Sequence, residues 1–217
     1  MIVTIDGPAG SGKSTAARGL AKRLGFEFLD TGAMYRAVAY ALMQKGINFA
    51  DQSPVVAFLE ALRIEMPPNR ILLNGEDVST VIRTPEIASA SSKVAAYPYV
   101  RHFLVEQQRA IARGRSMVCE GRDQGTIVFP EARWKFFLTA SAASRALRRF
   151  HDMQQRGQNV PFEQVIVEQE ERDHRDSTRD AGPLRAADDA IVIDTSEMNS
   201  GQVLDRLEEE MRRCHRG

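Results

Sequence analysis

The sequence predicts an α/β fold in three layers, a parallel sheet with helices on both faces, and three observations predict it. Short apolar runs of strand length alternate with segments of helical periodicity along most of the 217 residues. A glycine-rich loop, Gly7-Pro8-Ala9-Gly10-Ser11-Gly12-Lys13-Ser14, joins the first such run to the first helix. One β-rich stretch near residues 63–82 interrupts the rhythm and is expected to form a small lobe outside the sheet.

The elements follow in order. Residues 2–6, Ile-Val-Thr-Ile-Asp, read as the first strand, and 14–24 as a helix with Ala17, Leu20, Ala21 and Leu24 on one face. A second apolar run, 26–29, ends at Asp30-Thr31-Gly32, after which a helix is expected from about 33 to 44, stopped by Gly46. Residues 54–62 suggest a short helix. Residues 63–66, 70–73 and 76–78 read as short strands, with Asn74-Gly75 as a hairpin turn. Thr84-Pro85 looks like a cap and a first-turn proline opening a helix to about 95, and another helix spans 98–113 up to Gly114. The α/β rhythm then resumes. Residues 117–120 form a strand running into Gly121-Arg122-Asp123, and 135–138 the next strand. A Ser141-capped helix to about 155 is broken by Gly157, and 162–172 is helical again. Residues 190–194 are the last strand and 200–213 the closing helix.

The loop carries the chemistry. Glycines let successive backbone N–H groups turn inward around phosphate oxygens, and the helix start adds unpaired N–H groups and the positive end of its dipole. Lys13 would reach the β- and γ-phosphates, and the Ser14 hydroxyl would ligate Mg²⁺. The loop implies binding of a nucleoside triphosphate.

Composition narrows the rest. Lys plus Arg equal Asp plus Glu at 29 each, which argues against a general nucleic-acid or membrane-surface binder. No stretch approaches the roughly 18 apolar residues of a membrane span, and the N-terminus opens straight into a strand. Neither a span nor a signal peptide is expected, and a cytoplasmic location follows. Cys119 and Cys214 are too few and too far apart for a metal site or a disulfide framework, and Cys119 reads as core. His102, His151, His174 and His215 show no ligand spacing. Charge balance and the lack of an unexplained apolar stripe lean to a monomer.

Three classes compete: a small-molecule kinase, a regulatory GTPase, and a mechanical or nucleic-acid ATPase. A GTPase should carry Asn-Lys-x-Asp and Asp-x-x-Gly, and the chain has neither. A mechanical ATPase needs more length and a strand ending in paired carboxylates, whereas Glu120 is followed by Gly and Arg. A small kinase must clamp a second polyanion with scattered arginines. They are present: Arg36, Arg122, a shared helix face of Arg145, Arg148 and Arg149, and the run 171–179, Glu-Arg-Asp-His-Arg-Asp-Ser-Thr-Arg. Three of these segments are expected at strand ends or breaks between helices, where α/β sheets bind ligands.

Four motifs in order then resemble the bacterial cytidylate kinase family. They are Ile5-Asp-Gly-Pro-Ala-Gly-Ser-Gly-Lys-Ser-Thr15, Leu29-Asp-Thr-Gly-Ala-Met-Tyr-Arg36, Glu120-Gly-Arg-Asp-Gln-Gly-Thr126 and Arg172-Asp-His-Arg-Asp-Ser-Thr-Arg179. Glu76-Asp-Val-Ser79, Ile82-Arg-Thr84 and Ser92-Lys-Val-Ala-Ala96 extend the likeness to nearly the whole chain. The resemblance implies a nucleoside monophosphate kinase fold: a core at about 1–60, 98–140 and 185–217, a monophosphate-binding insert at about 61–97, and a helical lid at about 141–184. It implies transfer from ATP to CMP and dCMP with Mg²⁺, and no nucleic-acid or membrane partner. Gly7 through Ser14 and Thr15 would bind ATP, and Ser14 would hold the metal. Arg36, Arg122 and Arg179 would hold the CMP phosphate, with Thr31 also on CMP. Ser92, Arg101 and Asp123 would read the cytosine edge, and Arg172 with Asp176 would hold the ribose. A carboxylate or hydroxyl facing N4 and a guanidinium facing O2 and N3 are the complementary groups. Lid arginines from Arg145 to Arg156 would close over the site, and the catalytic candidates are Lys13, Arg36, Arg122, Arg179 and the lid residues Arg148 and Arg149. Two departures are visible: Ser14 stands where some members have Gly, and His174 where an Asp can occur. A kinase of UMP or AMP, or an ATP-binding switch without turnover, are the alternative readings.

Overall fold

The computed structural model describes residues 1–155 and 157–213. Arg156, the last of the expected lid arginines, and Cys214 and His215 lie outside the described residues. In chain order the elements are β1 (Ile2–Asp6), α1 (Lys13–Leu24), β2 (Glu27–Asp30), α2 (Thr31–Gln44) and α3 (Gln52–Glu60). Then come β3 (Ile64–Glu65), β4 (Leu72–Leu73), β5 (Glu76–Asp77), α4 (Pro85–Val94) and α5 (Pro98–Ala112). The chain continues through β6 (Met117–Gly121), β7 (Trp134–Thr139), α6 (Ala142–Gln155), α7 (Phe162–Thr178), β8 (Ile191–Asp194) and α8 (Ser200–Arg213). Two compact units result: Met1–Phe28 with Ser116–Gly217, and Leu29–Arg115.

The first unit is organised by a five-stranded sheet in the order β2-β6-β1-β7-β8. β1 runs parallel to β6 and β7, and β7 parallel to β8. Strand alternation decides which side chains enter the core. Val3 and Ile5 of β1, Val118 of β6, and Trp134, Phe136 and Leu138 of β7 pack in one cluster with Ala17 and Leu20 of α1 and Val203 and Leu207 of α8. The opposite face of the sheet carries Thr4, Asp6 and Lys135, polar but buried. Trp134, the chain's single tryptophan, is buried with the Arg133 guanidinium 4.7 Å from its ring centre. Parallel strands end on the same side, so the loops after β1 and β6 share one edge.

In the second unit α2 packs on α4, and β3-β4-β5 form a small antiparallel sheet. Leu73 pairs with Glu76, leaving Asn74 and Gly75 as a two-residue turn with φ of 50° and 86°. Such a turn needs positive φ at both positions, which Asn tolerates and Gly adopts freely. Thr84 Oγ1 accepts the Ile87 N–H at 3.3 Å and Pro85 occupies the first turn, so α4 starts where its cap dictates.

Several expectations need correction. α2 begins at Thr31, because the Asp30 carboxylate caps it by accepting the Ala33 N–H at 2.8 Å. α3 starts at Gln52 and ends at Glu60, two residues early at each end. The segment 171–179 is not a break: α7 continues to Thr178 and carries Arg172 and Asp176 on its last two turns. A polar run can stay helical when its own side chains satisfy it. Ser177 and Thr178 donate to carbonyls one turn back, and Glu171 pairs with Arg175 at 3.6 Å. A 3₁₀ turn at Val81–Arg83 and a π turn at Gln124–Val128 were not foreseen.

Candidate active site

In the first unit the loop between β1 and α1 has the form an anion needs. Gly7 has φ 150°, and a Cβ there would stand 2.1 Å from the Leu138 carbonyl oxygen, so no side chain fits. α1 starts without any side-chain cap, leaving its first N–H groups to a ligand. Ser11 Oγ is buried without a hydrogen-bond partner among the described residues. Beside the loop lies a cavity of about 350 Å³, lined by residues 10–16 and by Arg148, Asp152, Thr195, Met198, Ser200 and Val203. Gly10, Ser11, Gly12, Lys13, Ser14 and Thr15 all line this cavity.

Lys13 donates to the Pro8 carbonyl at 3.2 Å and lies 4.0 Å from Glu120 Oε2. Burial, and after it the Arg122 guanidinium, hold the Lys13 ammonium well below the usual lysine range, with Glu120 acting in the opposite sense. An anionic ligand here would add counter-charge beside this ammonium. Ser14 Oγ donates to Glu120 Oε1 at 2.9 Å. Two hard oxygens thus stand together at the mouth of the loop, a donor set that suits Mg²⁺ completed by phosphate oxygens and water. Among the described residues no group of three or more His, Cys, Asp or Glu could hold a metal alone. Sequence reasoning set Glu120 aside, although a carboxylate ending an apolar strand was the available signal.

The arginines of this unit are organised by carboxylates. Asp176 accepts from Arg122 Nε at 2.8 Å and from Arg179 Nη1 at 3.4 Å. Burial opposes charge at both partners, yet the surrounding counter-charges together outweigh it: Arg122, Arg172 and Arg179 hold the Asp176 carboxyl down, and Asp176, Glu120 and Asp173 hold the Arg122 guanidinium up. Arg172 adds to the positive field at Asp176. Asp123, only 3% exposed, follows Arg122 directly.

On α6, Arg145 is buried and donates to the Ala140 and Ala9 carbonyls and to Asp173. It ties α7 to the loop backbone, a role the sequence did not single out. Arg148 lines the cavity and donates to Thr195 Oγ1 at 3.1 Å and to the carbonyls of Thr195, Met198 and Gly10. Arg149 is half-buried and is not among the lining residues. Thr195, at the end of β8, was missed. Its hydroxyl lies 3.0 Å from the Ser11 and Thr139 carbonyls, and the strand-end rule could have found it.

In the second unit Thr31 is buried at the first turn of α2. Arg36, one turn on, has Nη2 3.4 Å from Asp30 Oδ2, while its buried Nε lacks a hydrogen-bond partner among the described residues. Arg101 of α5 is buried, donates to the Ala95 carbonyl at 3.3 Å and lies 5.6 Å from the Tyr35 ring centre. Ser92 of α4 is buried as well.

Residues 3–213 match the family model described as cytidylate kinase. A cytidylate kinase of Rhodopirellula baltica is 47% identical over 214 residues, covering 99% of this chain and 93% of that protein. One of Mycobacterium avium is 48% identical over 217 residues, covering 98% and 95%. Among solved structures, an uncharacterized protein from Eubacterium ventriosum superposes with a TM-score of 0.52 at 12% identity, covering 98% of each chain, a likeness of fold alone.

Proposed function

The chain belongs to the cytidylate kinase family, and on that premise we propose how its residues carry the reaction, which is phosphoryl transfer from ATP to CMP or dCMP. The observation that carries the reading is the loop itself: an uncapped helix start, a buried Lys13 held below the usual lysine range and a lined cavity in one place. Residues Gly7 to Thr15 would hold the ATP phosphates, and Thr195, Met198 and Ser200 line the cavity that would take the rest of the nucleotide. Mg²⁺, held by Ser14 with Glu120, would neutralise charge on the β- and γ-phosphates. Lys13 meets the γ-phosphate and offsets charge that grows on its equatorial oxygens during transfer. No protein nucleophile is required, since the CMP phosphate oxygen attacks phosphorus in line.

For CMP, Arg122 and Arg179 offer paired forks to the phosphate, and Asp176 fixes their orientation. Arg36, with Nε still available, is the corresponding group on α2, and Thr31 accompanies it. Ser92, Arg101 and Asp123 read cytosine; Arg172 and Asp176 hold the ribose. Arg148 and Arg149 belong to the lid, residues 141–184, and Arg148 guards the ATP cavity. No helix among the described residues is long and apolar enough to cross a membrane. We place the enzyme in the cytoplasm with its nucleotide substrates, and as a monomer on its balanced charge of 29 basic and 29 acidic residues.

One assay tests the reading: ADP release with CMP, dCMP, UMP, AMP and no acceptor, for the parent and for Lys13→Ala. We expect release with CMP and dCMP, little with UMP, and a loss of about 10²–10³ in Lys13→Ala. UMP presents no N4 amino group, so a buried acceptor would go unpaired. Release without acceptor, or activity of Lys13→Ala within about tenfold of the parent, would sink the mechanism.

A further inference from the structure

Asp6 ends β1 one residue before the loop, and the chemistry above leaves it unused. It is 4% exposed, and its two oxygens each accept one backbone N–H: Gln124 on Oδ1 at 2.9 Å and Gly125 on Oδ2 at 2.8 Å. These are the first amides of the π turn Gln124–Val128, whose N-cap Asp123 makes no side-chain cap bond. Asp6 therefore caps that turn from another strand, across 118 residues of sequence. The turn also sits tightly on the sheet: a Cβ at Gly125 would stand 3.0 Å from Thr4 Oγ1 and 3.3 Å from Lys135 Cδ. The two residues immediately before the turn are Arg122 and Asp123.

We propose that Asp6 is a positioning residue that locks the Arg122–Asp123 segment in register with the phosphate loop, so that CMP is aligned on bound ATP. The proposal rests on the CMP assignments made above for those two residues. The Asp6 backbone leads directly into Gly7, and its side chain holds the start of the turn. One residue thus spans from the donor-binding loop to the acceptor-binding segment within a single unit.

The charge state of Asp6 supports this geometry. Burial raises its pKa to about 7, with the two N–H groups and Arg122 pulling down and Asp123 pushing up. Lys135 shares its sheet face but is committed to Asp189 at 2.6–2.9 Å, and the neighbouring Cys119 thiol is pushed up by burial and stays neutral. Protonation would convert one acceptor oxygen into a hydroxyl facing an N–H and release half of the clip.

Asp6→Asn, of equal size, does the same permanently. We expect kcat/KM for CMP to fall roughly 10- to 100-fold, the effect of losing a buried bond to a charged acceptor, while KM for ATP stays near the parental value. The parental pH profile for CMP should carry an acid limb near 7 beyond that of the CMP phosphate, and Asp6→Asn should lose it. If the variant does not fold, the parent decides through the amide resonances of Gln124 and Gly125. They should shift together with a midpoint near 7 as CMP affinity declines. Parental kcat/KM for CMP in Asp6→Asn, equal losses toward both substrates, or amides that do not titrate would overturn the proposal. A parent that releases no ADP with CMP would instead overturn the functional reading, and the amide titration would still decide whether Asp6 holds the turn.

Discussion

Asp176 accepts from Arg122 and Arg179 at once, yet a carboxylate has more lone-pair sites than those two donors use. It can orient the arginines and still receive a ribose hydroxyl. Asp176→Ala should therefore reduce kcat/KM for dCMP, through the misdirected arginines, and reduce it further for CMP, through the 2′-hydroxyl. Equal losses with the two substrates would leave Asp176 with the arginines alone. Asp6 makes a prediction of another kind. Its folded pKa of about 7 exceeds the ordinary 3.8, so the folded state holds a proton that the unfolded chain releases. Stability from this group is full below the lower value and is lost as pH rises from about 4 to about 7, opposite to an ion-paired carboxylate. Urea unfolding of the parent and Asp6→Asn across that window should show the variant gaining relative to the parent as pH rises. A constant difference would mean that Asp6 does not titrate there.

α4 owes its start to one side-chain bond, Thr84 Oγ1 with the Ile87 N–H. Thr84→Ala should cost about 1 kcal/mol, measured by denaturant unfolding, and a change within experimental error would show that Pro85 alone sets the boundary. This start was legible in the sequence because a cap is local chemistry, and so were the Asn74-Gly75 hairpin and the glycine loop. The strand–helix alternation gave the parallel sheet for the same reason: periodicity needs only neighbours in the chain. Legibility stopped where partners are distant. Ser14 meets Glu120 across 106 residues, and Asp6 meets Gln124 across 118. Neither pairing leaves a trace in local pattern. The reach of α7 to Thr178 was hidden differently, since hydroxyls that satisfy a helix end look like a loop in a list of polar residues. Of the site, the loop was readable from spacing, and the acceptor residues only through family likeness.

The two units differ in how they are held together. The first has a continuous apolar cluster spanning four neighbouring strands and two helices, while the strands of the second are two residues long. The second should therefore yield first to denaturant. The chain carries its own means of seeing this. Its one tryptophan, Trp134, lies in the first unit, and all four tyrosines, Tyr35, Tyr40, Tyr97 and Tyr99, lie in the second. Fluorescence excited at the indole edge follows one unit, and tyrosine near-ultraviolet dichroism follows the other, without any label. We expect the tyrosine transition at the lower urea concentration; superimposed transitions would mean that the chain melts as a single cooperative body. Tyr35 beneath the Arg101 guanidinium adds an optical handle of its own. A cytosine that recruits this arginine would perturb the ring's absorption, so nucleotide occupancy and unit stability could be followed spectroscopically in one cuvette.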